Sequence, residues 1–170
     1  MNPIFSCSLC YHGILGGWMV LSGEAVTYGT GKVTVSPKFR NLSMPYDDIE
    51  SVTWKRIVFP VATFSMNNSE SYTFLIFNKN RFVNRFEQIL RIRNMEKIYD
   101  ECSVHSADDS QEGDPHEDQR YENNMRILSE YYEGSLWKED FAADERGKLP
   151  DDLKRGVLSE DGLYNLLEGK

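Results

Sequence analysis

The sequence predicts an α+β protein: an antiparallel β-barrel capped by a helix, followed by a small all-α helical domain. Three observations lead there. Gly and Pro punctuate the first 60 residues densely and leave short β-favouring runs between the breaks. From Phe82 onward apolar residues fall at helical spacing, and no Gly or Pro occurs between Pro60 and Gly113. The charge also changes sign along the chain. Of 19 Lys+Arg and 27 Asp+Glu in 170 residues, residues 1–95 carry ten basic and six acidic groups, and residues 96–170 carry nine and twenty-one. The net charge of −8 therefore averages a mildly basic part and a strongly acidic one. An acidic chain repels a phosphate backbone, so nucleic acid is not an expected partner.

The breaks at Gly13, Gly16, Gly17, Gly23, Gly29, Gly31, Pro37, Pro45 and Pro60 frame the strands. These are expected over 14–21, 25–29, 32–36, 41–44, 49–56, 60–66 and 71–77. Alternation supports several of them. Val33 and Val35 share one face of 32–36, and Tyr72, Phe74 and Ile76 share one face of 71–77. Turn signals this closely spaced mark an antiparallel meander rather than βαβ units. Six or seven short strands followed by one amphipathic helix make a barrel whose open end the helix closes.

Residues 4–21 carry no charge, but they lack the basic n-region of a secretory signal, and the first Lys is Lys32. Ser6, Ser8, His12 and three Gly weaken a spanning helix. A cytoplasmic protein is expected. Three Cys is an odd number, so no disulfide framework is expected either.

Particular residues of this part resemble the GRAM and bacterial pleckstrin-homology-like families. The stretch GGWMVLSGEAVTYG resembles their opening hairpin. MPYDDIESV (44–52) resembles a turn entered at Pro45, with Tyr46 and Ile49 inward and Asp47 and Asp48 facing water. SYTFLIFNKNRFVNRFEQIL resembles their last strand and helix. The resemblance spans residues 12–91 and implies binding of lipid headgroups or of protein segments.

The helix that begins near Lys79 is expected to continue to Glu101, because no breaker interrupts it. At ~100° per residue, Phe82, Phe86, Ile89 and Leu90 form one apolar face, while Ile92, Met95, Tyr99 and Cys102 form another about 140° away. A helix that changes its apolar face contacts two bodies. This places the domains at 1–91 and 92–170, with the helix shared between them. Residues 103–118 hold six acidic groups and almost nothing apolar, which predicts a mobile solvated loop.

Beyond the loop, Tyr121, Met125, Leu128 and Tyr132 mark a second helix, ended by Gly134, that packs on Ile92, Met95 and Tyr99. Residues 137–145 allow a further helix, and LPDDLKRG reads as a compact helical turn. Ser159 reads as an N-cap, with Glu160 and Asp161 in the first turn of a last helix. The stretches RIRNMEKIYDE (91–101) and YYEGSLWKEDFAADERGKLPDDLKRGVLSEDGLYNLL (131–167) resemble a small bacterial helical family of unknown function. The resemblance is carried by Tyr131, Tyr132, Trp137, Asp140 and the Gly-Val-Leu-Ser-Glu-Asp run containing Gly156, Ser159, Glu160 and Asp161.

Four constellations bear on function. Lys32, Lys38, Arg40, Lys55 and Arg56 are the basic groups of the strands and loops, a candidate patch for an anionic headgroup or simply solvated strand faces. Tyr131, Tyr132, Trp137, Asp140, Gly156, Ser159, Glu160 and Asp161 are candidates for a partner surface, with the Trp137/Tyr131 region exposed. Asp140, Asp144, Glu145, Glu160 and Asp161 offer paired carboxylates for a hydrolase, against ordinary capping and ion pairing. Cys7, Cys10, Cys102 and His105 have zinc-ligand types, but a Cys-x-x-Cys on a strand points its thiols to opposite sides. Buried thiols, no metal and no cofactor are the expectation. No Ser-His-Asp set, phosphate-cradling Gly loop or dinucleotide fingerprint occurs.

The function expected from the sequence is therefore non-enzymatic: a binding or adaptor protein that recognises a protein segment. The alternatives are peripheral binding to anionic lipid through the basic part and hydrolysis by the tail carboxylates.

Overall fold

The computed structural model describes residues 2–56, 58–107 and 115–169. Among these residues seven strands form one antiparallel sheet: β1 (Ile4–Cys10), β2 (Ile14–Leu21), β3 (Ala25–Gly29), β4 (Asn41–Pro45), β5 (Ile49–Arg56), β6 (Pro60–Met66) and β7 (Ser71–Ile76). A short helix, α1 (Pro37–Arg40), precedes β4. The long helix α2 (Lys79–Ala107) follows the sheet, then α3 (Pro115–Glu133), α4 (Ser135–Glu145) and α5 (Glu160–Leu167). Two compact units divide the chain. Residues 1–87 with 149–153 form the first, and residues 88–148 with 154–170 the second. The boundary thus falls within α2, four residues before the expected division.

The strand order is β4-β3-β2-β1-β7-β6-β5. The ladder has two ends, at β4 and β5, so the sheet is open where a closed barrel was expected. Period-2 alternation turns one face inward. Phe5, Cys7 and Leu9 of β1 are buried, as are Met19 and Leu21 of β2, Phe64 of β6, and Phe74 and Ile76 of β7. The first turns of α2 cover this face. Phe82 and Phe86 stack with ring centroids 5.7 Å apart, and Phe82 meets Phe5 at 5.2 Å and Phe64 at 6.3 Å.

Two elements differ from the sequence expectation. β1 lies in the charge-free stretch read above for targeting signals. It pairs with β2 along its whole length and with β7, which joins the two halves of the sheet. Residues 32–36 form no strand. Arg40 donates from Nε to the Val35 carbonyl (2.8 Å) and from Nη2 to the Val33 carbonyl (2.6 Å), so a guanidinium satisfies groups that a ladder would otherwise pair. Pro37 lacks an N–H, and the stretch ends in α1.

Residues 149–153 also belong to the first unit. Leu149 and Leu153 are buried, and Asp152 Oδ1 accepts from the Gly23 N–H at 2.8 Å. A Cβ on Gly23 would lie 2.6 Å from the Asp152 carbonyl oxygen, so the backbones meet at a distance only Gly permits. The stretch LPDDL is a turn, closed by Leu153 N–H donating to the Pro150 carbonyl, and not a helix.

In the second unit α2 runs six residues past its expected end, and α3 begins within the expected acidic loop. Residues 108–114 of that loop lie outside the described residues. The core contains Ile89, Ile92, Leu128, Val157 and Leu163, all fully buried.

Candidate functional site

The open edge of β5 is the candidate site of the first unit. Among the described residues β5 pairs with β6 alone, from Ile49↔Met66 to Arg56↔Pro60, with one irregularity between Ile49 and Ser51. Its eight residues are charged at both ends, with Glu50 near the start and Lys55 and Arg56 at the finish. Glu50, Ser51, Thr53, Lys55 and Arg56 are exposed, while Val52 and Trp54 are half-buried. Trp54 rests on the first turns of α2: its ring lies 6.0 Å from Phe82, and Lys79 Nζ sits 4.9 Å over it. An extended strand with unpaired backbone groups beside a helix can accept another strand.

The five basic candidates have different fates. Lys32, Lys55 and Arg56 are exposed. Arg40 is spent on the 33–35 carbonyls. Lys38 pairs with Glu70, and this ammonium, with the Tyr72 hydroxyl, holds the Glu70 carboxyl down at about 2. A hollow of about 400 Å³ beside Glu70 has Asp48 and Glu70 as its charged lining, which does not suit an anionic headgroup.

Of the resemblance residues of the second unit, Tyr131, Trp137 and Asp140 lie in its interior. Asp140 is fully buried. Its Oδ1 accepts from Gln88 Nε2 (2.8 Å) and Arg91 Nη2 (2.7 Å), and its Oδ2 accepts from Arg91 Nε (2.8 Å) and Tyr131 Oη (2.8 Å). Four donors around one carboxylate satisfy it fully, as burial of a charge requires. Burial, then the Asp140 charge, pushes the Tyr131 phenol well above its ordinary value, and the carboxylate raises Arg91 further.

A second carboxylate does related work. Glu96 is 6 % exposed and accepts from the N–H groups of Gly156 (3.0 Å) and Val157 (2.8 Å). These open a single 3₁₀ turn over Gly156–Leu158, whose first N–H groups have no partner within the turn. A Cβ on Gly156 would lie 2.8 Å from Glu96 Oε1 and 3.0 Å from Tyr99 Cε1, which accounts for Gly at that position. Trp137 Nε1 donates to the Val157 carbonyl (3.1 Å), and Ser159 Oγ accepts from the Gly162 N–H (3.1 Å) to cap α5.

These placements correct one expectation. Tyr131 and Trp137 are 7 % and 8 % exposed, so the region expected to be an exposed partner surface is interior. Tyr132 is half-buried against Trp137 (4.9 Å), and Ser159, Glu160 and Asp161 are exposed at the start of α5. Of the carboxylates proposed for hydrolysis, Asp140 is enclosed by its four donors and Asp144 pairs with Arg155 at 3.1 Å. The zinc alternative does not assemble, since no group of three or more His, Cys, Asp or Glu able to hold a metal occurs among the described residues. Cys7 and Cys10 point to opposite sides of β1, Cys7 buried and Cys10 exposed, and burial pushes the Cys7 thiol up to about 12. A hollow of about 480 Å³ between the end of α2 and the start of α3 is lined by Cys102, His105, Arg120 and Tyr121, among others; Glu101 at its wall is taken by Arg120 (2.8 Å). No helix among the described residues is long and apolar enough to cross a membrane.

Sequence reasoning did not single out Gln88, Arg91 or Glu96 for a role. Each was legible only as a polar residue of a long helix, because its partners lie 49–61 residues away.

The class is thus an open seven-stranded antiparallel sheet followed by helices, the helical part held around two buried carboxylates. Residues 92–170 match a family described as a domain of unknown function (DUF4298). No curated protein matches the chain. Among solved structures the chain is similar to the C-terminal domain of an unknown protein from Leishmania infantum, at 12 % identity over 52 % of this chain and 82 % of that one, with a TM-score of 0.43.

Proposed function

We propose that the protein is a non-enzymatic binding module that takes an extended protein segment onto the open edge of β5. The observation that carries this reading is an eight-residue strand paired on one side only, beside α2 and with Trp54 half-buried at the rim. The resemblance of residues 12–91 to GRAM and pleckstrin-homology-like families supports it as well. Backbone hydrogen bonds would supply affinity, and Val52 and Trp54 would select apolar side chains at alternate positions of the guest. Display of random peptides against the full chain tests this. Selected peptides should lose affinity when N-methylated at alternate residues, and Trp54→Ala should weaken them about tenfold. Selection of no extended peptide, or indifference to backbone methylation, would defeat the reading.

A second reading, binding to anionic lipid, is favoured by a different observation. No Asp or Glu occurs in 51–69 or 71–86, while Lys55, Arg56, Lys79, Arg81 and Arg85 do. Val58, Phe59 and Phe77 are 77 %, 51 % and 57 % exposed, with the two rings 6.2 Å apart. Apolar side chains rimmed by cations suit a negatively charged bilayer surface. Salt-sensitive co-sedimentation with phosphatidylserine vesicles, lost on Phe59→Ser with Phe77→Ser, is the expected result. Equal recovery with phosphatidylcholine alone would count against it.

A further inference from the structure

We propose that the occupant of the β5 edge is β5 of a second copy of this chain, added antiparallel about a two-fold axis at Thr53. This rests on the edge-strand reading above and names its partner. The strand reads Ile-Glu-Ser-Val-Thr-Trp-Lys-Arg from Ile49 to Arg56. With the axis at Thr53, Val52 faces the partner's Trp54, Thr53 faces the partner's Thr53 and Ser51 faces the partner's Lys55, while Glu50, at the irregularity that ends the regular ladder, comes beside the partner's Arg56. β-branched with aromatic, Thr with Thr, and opposite charges are the pairings that stabilise neighbouring strands. Symmetry makes every one of them occur twice except the central Thr pair.

Other arrangements of the same strand lose these pairs. A one-residue slip toward the start of the strand keeps a charge pair, Glu50 with Lys55, but sets Val52 against Thr53 and Ser51 against Trp54, which loses both the apolar and the Thr pairing. A slip the other way sets Val52 against Lys55 and removes the charge pair. Parallel addition places Lys55 and Arg56 beside their own copies, where like charges repel. The irregularity between Ile49 and Ser51 places Glu50 at the end of the regular ladder, so residues 51–55 pair in register about Thr53 and the Glu50 side chain meets the partner's Arg56 just beyond them. The other edge strand offers nothing comparable. β4 has five residues, no charge to fix a register, and ends on Pro45. Continuing the sheet through β5 pairs backbone groups that one copy leaves open and covers the half-buried Val52 and Trp54.

Sedimentation equilibrium of the full chain over a range of concentrations tests the proposal. A monomer–dimer equilibrium is expected. Glu50→Lys alone and Arg56→Glu alone should each raise the dissociation constant about tenfold, because both symmetry-related charge pairs invert. Both positions are exposed, so circular dichroism should be unchanged. The two variant chains mixed, or the double variant Glu50→Lys/Arg56→Glu, should recover the parent affinity, since opposite charges face each other again. A chain that stays monomeric throughout, or a dimer indifferent to these exchanges, overturns the proposal. Extended peptides that bind a chain found to be monomeric would remove self-pairing and leave the edge reading standing; if they also fail to bind, both fall.

Discussion

The two units keep polar groups out of trouble in opposite ways. Among the described residues of the sheet unit the buried polar side chains are Ser8 and Thr30, and Thr30 Oγ1 donates to the Gly16 carbonyl at 2.8 Å. Its strands satisfy one another's backbone, alternation gives an apolar face, and aromatic rings of α2 close over it. Among the described residues of the helical unit the carboxylates of Asp140 and Glu96 are buried. Helices of eleven and eight residues, α4 and α5, are short, so their end groups, which have no partner within the helix, are many for their length. Side chains from α2 supply what the local backbone cannot: Glu96 to the amides of Gly156 and Val157, and Arg91 to Asp140. The first unit should therefore respond to lost volume, and the second to the loss of a single polar partner.

The largest effect is expected at Asp140. Asp140→Ala leaves the Arg91 guanidinium and the Tyr131 hydroxyl without their acceptor, and breaking such a pair costs about 3–5 kcal/mol. Urea unfolding of the variant should show this, and a loss under about 1 kcal/mol would mean that the helical unit is held mainly by apolar contact. Phe82→Ala is the counterpart in the sheet unit. It removes a fully buried ring that meets Phe5, Phe64 and Phe86, for a loss of about 3 kcal/mol by the same measurement.

Glu96→Gln sharpens the contrast, because it preserves shape. One carboxylate oxygen becomes an amide donor facing a backbone N–H, so a loss of about 1–2 kcal/mol is expected in thermal melts, with faster amide exchange at Gly156 and Val157. A neutral outcome would show that the charge on Glu96 is dispensable.

The smallest effect is at the exposed Lys38–Glu70 pair. The folded Glu70 carboxyl titrates near 2, below its ordinary 4.5, because Lys38 and Tyr72 favour its charged form. A lowered value means that its contribution is fully present above pH 4.5 and fades as pH falls through about 2. Carboxyl NMR titration should place the midpoint there, and Lys38→Ala should move it toward the ordinary value.

Much of this was legible residue by residue. Tyr72, Phe74 and Ile76 announced the inner face of β7 by alternation, and Ser159 followed by Glu160 and Asp161 announced the start of α5. β1 was missed because a strand with neighbours on both sides carries few polar markers and shares its composition with targeting segments. Residues 32–36 had the alternation of a strand but no strand to pair with, which alternation cannot report. Trp137 and Tyr131 looked like exposed anchors because aromatic residues among charged ones read as surface. The neighbours that bury them come from other elements. The β5 edge was legible as a strand, but its position at the end of the sheet was not.

The sequence by itself determined a run of antiparallel strands followed by helices, the unbroken helix that changes its apolar face, and the change of charge along the chain. These are local properties: turn residues, periodicity and composition act over a few positions. Tertiary structure alone decided that the sheet stays open at β4 and β5, that Leu149–Leu153 returns to the sheet unit, and that Asp140 and Glu96 are interior. Each of those depends on which distant backbone or donor arrives to desolvate a group, and an unpaired carboxylate in a sequence looks the same whether water or a guanidinium will meet it.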